Sequence, residues 1–267
     1  MRPLSAFDTA ARGNIRGVFF DIDDTLTTEG RLTGAAYAAL EALGLAGLLT
    51  VPITGRPAGW CDHIARMWPV DGVVGENGAF YFRYDRARHK MQKRFLVTEA
   101  ERRAARARLE SLRQTIIDQV PGSAVASDQH YRETDLAIDF CEDVERLPQS
   151  AVSRIVALFE SAGATAKVSS IHVNGWFGHY DKLGMTKKLM QECFGIELDA
   201  DRERFVFVGD SPNDAPMFDY FPNSVGVANI RDFDGHLDAE PAYVCRHRCG
   251  AGFAELAAAL LDARAPA

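Results

Sequence analysis

The sequence predicts an α/β protein: a doubly wound parallel sheet interrupted by an inserted α+β module. Three observations predict it. Apolar, strand-length runs alternate with helical segments at both ends of the chain, the stretch from Arg83 to about Asn174 breaks that alternation, and three of the flanking strands end in polar turns rich in Asp, Thr and Gly.

The first strand is Ile15 to Phe20, apolar, β-branched and aromatic, bounded by Gly13-Asn14 before it and by Asp21-Ile22-Asp23-Asp24-Thr25 after it. A turn at Thr28-Glu29-Gly30 leads to an Ala- and Leu-rich helix, Leu32 to Leu43. Leu45 to Ile53 reads as a second strand ending in Thr54-Gly55-Arg56-Pro57, with Pro52 placed awkwardly inside it because proline cannot donate a ladder hydrogen bond. A helix from Ala58 to Met67, the short run Gly72-Val73-Val74, the turn Gly75-Glu76-Asn77-Gly78 and the run Ala79 to Phe82 follow.

At Arg83 the texture turns polar and basic, and a charged helix, Glu99 to Val120, comes next. Two short strands (Ala124 to Ser127, Thr134 to Phe140), a helix (Gln149 to Ser161) and two more strands (Ala166 to Ser169, Ile171 to Asn174) complete an αββ pattern that occurs twice. Such a run inside alternating βα units reads as an inserted domain, so 84–175 is expected to form one unit and 1–83 with 176–267 the other. The βα pattern resumes with helix Gly184 to Phe194, strand Phe205 to Val208, the turn Gly209-Asp210-Ser211-Pro212-Asn213-Asp214, helix Ala215 to Tyr220 and strand Ser224 to Val227. A last strand, Ala242 to Cys245, and the helix Gly252 to Ala263 close it.

Composition narrows the function. With 47% hydrophobic and 25% charged residues the 267-residue chain has the side chains for a real core. A formal net charge of -7 argues against a general binder of nucleic acid or anionic membrane, and favours a small-molecule partner. Its five cysteines are odd in number and scattered, which fits a reducing compartment better than a disulfide framework. Met1-Arg2-Pro3-Leu4 lacks the apolar core of a signal peptide and no later run is long and uncharged enough to span a bilayer, so a cytoplasmic location is expected.

In open parallel sheets, ligands bind beyond the carboxyl ends of the strands where strand order reverses. Three strands here end in candidate groups: Asp21 with Asp23 and Thr25, Thr54 with Gly55 and Arg56, and Asp210 with Asn213 and Asp214. Taken singly, an Asp after a strand more often caps a turn, and Thr-Gly-Arg simply makes a good one. Together with Lys182 they supply what phosphoryl transfer to a carboxylate needs: a nucleophile, a second carboxyl for the leaving-group proton, acidic groups for Mg²⁺, and donors for the phosphoryl oxygens.

These residues resemble the motifs of the haloacid dehalogenase-like (HAD) hydrolases. Asp21-x-Asp23-x-Thr25 is similar to the first motif, Thr54 to the second, Lys182 to the third, and Gly209-Asp210-x-x-Asn213-Asp214 to the fourth, in order along nearly the whole chain. The inserted module resembles the αββαββ cap of subclass IIB, which holds sugar phosphatases and the Cof-like phosphatases, and Asn77-Gly78-Ala79 resembles a tripeptide found just before that cap. The resemblance implies a Rossmann-like core and an aspartyl-phosphate mechanism. Asp21 would be the nucleophile and Asp23 the general acid and then base. Mg²⁺ would be held by Asp21, the Asp23 carbonyl and Asp210, with Asp214 a further ligand or its neighbour. Thr54 and Gly55 would hold phosphoryl oxygens, with Arg56 beside them, Lys182 would neutralise charge, and Asn213 would orient Lys182 or phosphate. Asp24, where many relatives carry Gly, has no assigned chemistry. Lys187 and Lys188 lie a turn beyond Lys182 and read as solvated helix residues.

In the inserted module, Arg132, Glu133, His172 and Asn174 are candidates for reading the leaving group, with His172 and Asn174 two apart and so on one sheet face. The competing reading makes Glu133 and His172 ordinary polar residues of an open sheet face. The basic run from Arg83 to Arg108 reads as a solvated face, and Cys245-Arg246-His247-Arg248-Cys249 lacks the second cluster a zinc site needs. The implied reaction is hydrolysis of a small phosphorylated metabolite, most of all a sugar phosphate. A hexose phosphomutase or a binding module without turnover is the alternative; a dehalogenase is disfavoured by Asp23. The oligomeric state is not legible.

Overall fold

The computed structural model describes residues 1–264. In chain order the core begins with β1 (Arg2–Pro3), α1 (Thr9–Gly13), β2 (Gly17–Phe20), α2 (Gly34–Leu45), β3 (Leu49–Pro52) and α3 (Ala58–Met67). Then come β4 (Val73–Gly75), β5 (Phe80–Asp85) and β6 (Lys90–Phe95). The inserted module holds α4 (Glu99–Gln119), β7 (Ala124–Val125), β8 (Asp135–Asp139), α5 (Gln149–Ser161), β9 (Thr165–Val168) and β10 (His172–Trp176). The chain returns through α6 (Lys182–Phe194), α7 (Leu198–Asp201), β11 (Phe205–Gly209), α8 (Ala215–Tyr220), β12 (Val225–Gly226), β13 (Tyr243–Val244) and α9 (Cys249–Asp262).

Six parallel strands form the main sheet in the order β1-β13-β12-β11-β2-β3. The chain moves outward from β2 to β3 and later re-enters on the other side of β2 as β11, so the order reverses at β2. Strand alternation divides the core into two layers: Val18, Phe20, Val206 and Val208 pack with α2 and α9, while Phe19, Phe205 and Phe207 pack with α6 and α8. Both faces are therefore apolar, as a buried parallel sheet requires.

Pro52 fits because of which side of β3 it faces. Leu49 and Ile53 donate their amides toward the β2 side, to Arg16 and Phe20, whereas Thr50 and Thr54 donate the other way, to Asp71 and Val74. Position 52 belongs to the second set, so its missing N–H lies away from β2, where β4 reaches the sheet only through a bridge from Ile53 to Val74. The polar stretch after Arg83, given no strand in the sequence analysis, holds β6, which pairs antiparallel with β5. Its side chains are charged and largely exposed, and pairing rather than apolar alternation makes it a strand.

The inserted module is a four-stranded antiparallel sheet, β7-β8-β10-β9, backed by α4 and α5. Leu136, Ile138 and Val173 point to Leu112 and Ile116 of α4 and to Ile155 and Phe159 of α5. The alternate residues form the opposite face: Asp135 and Asp139 on β8, His172, Asn174 and Trp176 on β10, and Thr165 and Lys167 on β9. That polar face lies over the carboxyl ends of the main sheet. The α4 helix is closed at its start by a capping box of Thr98 and Glu101. Among the described residues no helix is long and apolar enough to cross a membrane.

Candidate active site

Three neighbouring strands, β3, β2 and β11, end at one place, and their first residues beyond the sheet are the candidate groups. Asp21 continues β2 by donating its amide to the Val208 carbonyl at 3.0 Å, and Thr54 continues β3 by donating to Val74. Asp210 follows Gly209 directly and is buried, as are Asp21 and Asp214. One oxygen from each of these three carboxylates falls within 4.8 Å of the others, the single such cluster of potential metal ligands among the described residues.

Lys182 reaches this cluster as the first residue of α6, which starts two residues before the Gly184 expected from sequence, with Asp181 capping it through a 2.7 Å bond from the Gly184 amide. Its Nζ donates to Asp214 Oδ1 at 2.7 Å and lies 3.3 Å from Asp21 Oδ1, near enough for charge attraction but without hydrogen-bond alignment. Burial works against the ammonium, yet Asp21 and Asp214 more than offset it and hold its pKa above the ordinary value. The Asp21 carboxyl is raised as well: burial lifts it, Lys182 opposes this, and Asp214 and Asp23 add to the rise. Asp210 is likewise held well above the usual range by burial and by the neighbouring carboxylates. So many carboxylates in a dry site are a destabilising set unless a cation joins them.

The donor set fits a hard divalent cation: oxygens only, buried, with Asp21 Oδ1 left without a hydrogen-bond partner. The three carboxylates are not equivalent. Asp214 spends one oxygen on Lys182 and the other on the amides of Asp210 and Ser211, at 3.1 and 3.4 Å, so it shapes the turn and aims the lysine. Asp210 is oriented by the Thr25 hydroxyl at 3.0 Å and by Asn229 Nδ2 at 3.3 Å. Asn229 was not singled out from sequence; it also bonds the Asp24 carbonyl at 2.9 Å and accepts from the Cys249 amide, which no local pattern reveals. Asp24 itself sits at φ 54, the left-handed region where Gly is free of strain.

On the phosphoryl-binding side, the buried Thr54 hydroxyl accepts from the Arg56 amide at 3.0 Å, keeping its own hydrogen available. Gly55 packs closely against Asn77 and Asn174: a Cβ there would stand 3.3 Å from Asn77 Nδ2, 3.4 Å from Asn77 Oδ1 and 3.7 Å from Asn174 Oδ1. Asn213 accepts from Ser211 Oγ at 2.8 Å through its Oδ1, which leaves its amide nitrogen to face the site.

Arg56 spans the two domains. Its Nε and Nη2 grip Asp23 at 3.0 and 2.8 Å, Nη1 reaches Asp128 at 3.3 Å and Nη2 reaches Glu142 at 2.7 Å, both across on the inserted module. His172 flanks Glu142 at 2.9 Å. Burial would raise the Glu142 carboxyl, but His172 and Arg56 overcome this and hold it at about 2. Arg132, from the module, donates to the Gly55 carbonyl at 2.9 Å and pairs with Asp135 at 3.1 Å and Asp128 at 3.2 Å. Asn174 gives its amide nitrogen to Asp135 at 3.0 Å, leaving Oδ1 as its free end toward Gly55. Glu133 points instead to the surface beside Arg106, at 3.5 Å. Lys187 and Lys188 pair on the surface with Asp199 and Glu192.

Glu76 is the largest omission of the sequence reading. Wholly buried in the core, it accepts from the Ala58 amide at 3.0 Å, the Glu133 amide at 2.9 Å and the Thr134 amide at 2.6 Å, and from the Thr134 hydroxyl. One side chain thus caps α3 and clasps the inserted module. The turn carrying it has positive φ at Glu76, Asn77 and Gly78 in succession. Gly78 is dictated twice over, by φ 105 and by the Asp181 carbonyl, which a Cβ would meet at 1.9 Å. That close approach is what sets Lys182 against Asp21.

No family model matches the chain. Over 210 residues it is 29% identical to a phosphoglycolate phosphatase of Haloarcula marismortui, a match covering 78% of this chain and 82% of that one. Its fold is similar to that of a Thermoplasma acidophilum protein (TM-score 0.67, 20% identity, 92% of this chain and 98% of that one). It is similar also to the sucrose-phosphatase of Synechocystis in complex with sucrose and phosphate (TM-score 0.61, 14% identity, 92% and 98%). A sugar phosphatase of HAD subclass IIB gives a TM-score of 0.56 at 15% identity, over 86% of this chain and 92% of that one.

Proposed function

Since this chain has the fold of the haloacid dehalogenase-like hydrolases of subclass IIB, we propose that it is a cytoplasmic, Mg²⁺-dependent phosphatase that hydrolyses a small phosphorylated metabolite, a sugar phosphate above all. The observation that carries the reading is the meeting of Asp21, Thr54, Lys182 and Asp210 at the ends of three adjacent strands and one helix.

In this reading Asp21 attacks phosphorus; the new Asp21–phosphorus bond forms as the ester bond breaks, and Asp23 gives its proton to the departing alcohol oxygen. Water then attacks the aspartyl phosphate, Asp23 takes a proton from it, and inorganic phosphate and the Asp21 carboxylate are released. Thr54, the Gly55 amide and Lys182 hold the phosphoryl oxygens through transfer, and Asn213 aids them. The carboxylates of Asp21 and Asp210 and the Asp23 carbonyl, with Asp214 alongside, would hold Mg²⁺, which would supply charge neutralisation for the nucleophile and the phosphoryl group. Arg56, bridging Asp23 to Glu142 and Asp128, ties Asp23 to the inserted module, α4 to β10, where that module lies over the core as a cap. On the cap, Arg132, Glu133, His172 and Asn174 are proposed to bear on substrate, with Arg132 and Asn174 the two that reach Gly55.

Asp21→Asn is the direct test. It is expected to abolish Mg²⁺-dependent hydrolysis of p-nitrophenyl phosphate while leaving the far-ultraviolet circular dichroism spectrum unchanged; turnover near that of the wild type would sink the reading. A hexose phosphomutase would instead yield isomer from glucose or mannose phosphates without stoichiometric phosphate release.

A further inference from the structure

The chain passes from β6 into α4 through residues 96–98 and returns from β10 into α6 through residues 177–181. Between these two crossings and the first turns of α4 lies a cavity of about 280 Å³, whose lining includes Val97, Arg102, Arg108, Phe177, Gly178 and Tyr180. None of these residues takes part in phosphoryl transfer. The two arginines differ from their neighbours on the helix. Arg103, Arg106 and Arg113 pair with Glu99, Glu133 and Glu110, whereas among the described residues neither Arg102 nor Arg108 forms an ion pair. Glu101 also lines the cavity, but its carboxylate accepts from the Thr98 amide and hydroxyl, at 2.7 Å each.

Both guanidinium groups are braced by the crossings. Arg102 lies 3.8 Å over the ring of Phe95, just before the first, and Arg108 lies 3.5 Å over the ring of Phe177, in the second. A guanidinium stacked on a ring keeps its N–H donors at its edge, in the planar fork that suits an oxyanion. Arg102 spends Nη1 on the Val97 carbonyl at 3.1 Å and Arg108 spends Nη2 on the Ala162 carbonyl at 3.4 Å. Among the described residues, Arg102 Nη2 and Arg108 Nη1 donate to nothing.

We infer that this cavity is a second anion site, that it takes free inorganic phosphate and, resting on the phosphatase reading, that the reaction's own product bound there slows turnover. A tetrahedral dianion has oxygens enough to accept from two arginine forks at once, and the cavity is too small for a ligand much larger. Gly178 and Tyr180 line both this cavity and the larger one beside Lys182, and the next residue, Asp181, caps α6 where Lys182 begins it. Phosphate on one face of this segment therefore stiffens a wall of the catalytic cavity on the other. Gly178, at φ 124, is the position where the segment bends most freely. Holding α4 to both crossings keeps the inserted module over the core, and release of product, which needs that module to move, becomes slower.

Two measurements separate the site from its effect. Calorimetric titration of inorganic phosphate into the Mg²⁺-free protein reads the site without turnover, because the crowded carboxylates of Asp21, Asp210 and Asp214 repel phosphate when no cation joins them. Saturable binding is expected, weakened about 10-fold by Arg102→Gln or by Arg108→Gln, the loss of one charge-assisted hydrogen bond. Arg103→Gln, which removes a cation already paired with Glu99, should leave it unchanged, and glucose 6-phosphate should bind more weakly than the free ion. With Mg²⁺ present, phosphate should lower kcat for p-nitrophenyl phosphate in the wild type, but only raise KM in the Arg102→Gln/Arg108→Gln protein, as a product competing at the catalytic site does. No saturable binding, binding unmoved by Arg102→Gln and Arg108→Gln or weakened equally by Arg103→Gln, or tighter binding of glucose 6-phosphate overturns the phosphate site. Binding at the site with kcat unaffected overturns the slowing of turnover and leaves the phosphatase reading intact. If the protein hydrolyses nothing but binds phosphate through the two arginines, the phosphatase reading falls and the anion site stands.

Discussion

Glu76 offers the sharpest test of how core and cap are joined. Replacing it with Ala removes the acceptor for two buried amides, those of Ala58 and Thr134, for the half-buried Glu133 amide and for the Thr134 hydroxyl. A buried donor left unpaired costs about 1–3 kcal/mol, so the two buried amides alone predict a loss of about 2–6 kcal/mol, reduced by whatever water enters the gap. That is a large part of the ~5–15 kcal/mol by which domains are ordinarily stable. Glu76→Gln should cost less. Its Oε1 can still serve Ala58 and Glu133, and the Thr134 hydroxyl can turn to accept from the new amide, but the Thr134 N–H then faces a donor. That is one bond lost, about 1–3 kcal/mol, offset by relief from burying a charge, since burial first and Asp135 second push the Glu76 carboxyl up to about 7. Urea unfolding followed by tryptophan fluorescence gives the stability, and hydrogen exchange at the Glu133 and Thr134 amides reports the clasp itself. If Glu76→Ala unfolds within about 1 kcal/mol of the wild type, or if those amides exchange no faster, Glu76 does not hold the cap.

Three further outcomes are expected. Gly78→Ala, which drives a methyl into the Asp181 carbonyl at a backbone angle only Gly tolerates well, should displace the start of α6 and cost activity and stability together, about 2–4 kcal/mol by thermal melting. Because Glu142 is held at about 2 in the folded protein against an ordinary 4.5, its contribution is present above the ordinary value and fades as pH falls toward 2; Glu142→Gln should flatten the acid side of a Tm-against-pH curve, and an unchanged curve would show that the pairing with Arg56 and His172 adds no stability. Metal-free Asp210→Asn should melt above the metal-free wild type, because it removes one of three crowded, buried carboxylates, and should lose the rise in Tm that Mg²⁺ gives the wild type, about 2.7 kcal/mol at a hundredfold excess over Kd. A variant that melts lower without metal would mean that Asp210 is paired better than its neighbours indicate.

The elements easiest to read in the sequence were those whose pattern is local. Helices Ala58–Met67, Gln149–Ser161 and Ala215–Tyr220 have the bounds their residues suggested, because each is framed by Pro, Ser or turn residues and carries its own apolar stripe. The strands β2 and β11 are equally plain, since a sheet covered on both faces demands continuous apolar runs. What was lost was whatever owes its form to a partner distant in the chain. The strand β1 has only Arg2 and Pro3 and exists by pairing with Tyr243 and Val244; β6 is charged and exists by pairing with β5.

The same division runs through the site. Asp21, Thr54 and Asp210 were legible as candidates because a carboxylate or hydroxyl close after a strand has a fixed place in an open sheet, and Lys182, at the start of a helix, joined them only through the resemblance of four ordered motifs. Arg56 was legible as a site residue but not as the bridge to Asp128 and Glu142, which requires knowing that the ends of β3 and β8 face each other. Glu76 follows an apolar strand and looks like any turn glutamate; it becomes a clasp only when the amides of Glu133 and Thr134, 57 and 58 residues away, arrive over it. Asn229 is likewise silent in sequence, and Asn77 is legible there only as part of a tripeptide, with no sign that its side chain goes unpartnered. By itself, then, the chain's order of residues determined the layers, the strand ends and the chemistry gathered there, since these depend on periodicity and on neighbours in sequence. Only the tertiary structure decided which buried polar groups are satisfied and which are left without a partner, because hydrogen-bond completion is a property of groups brought together from far apart.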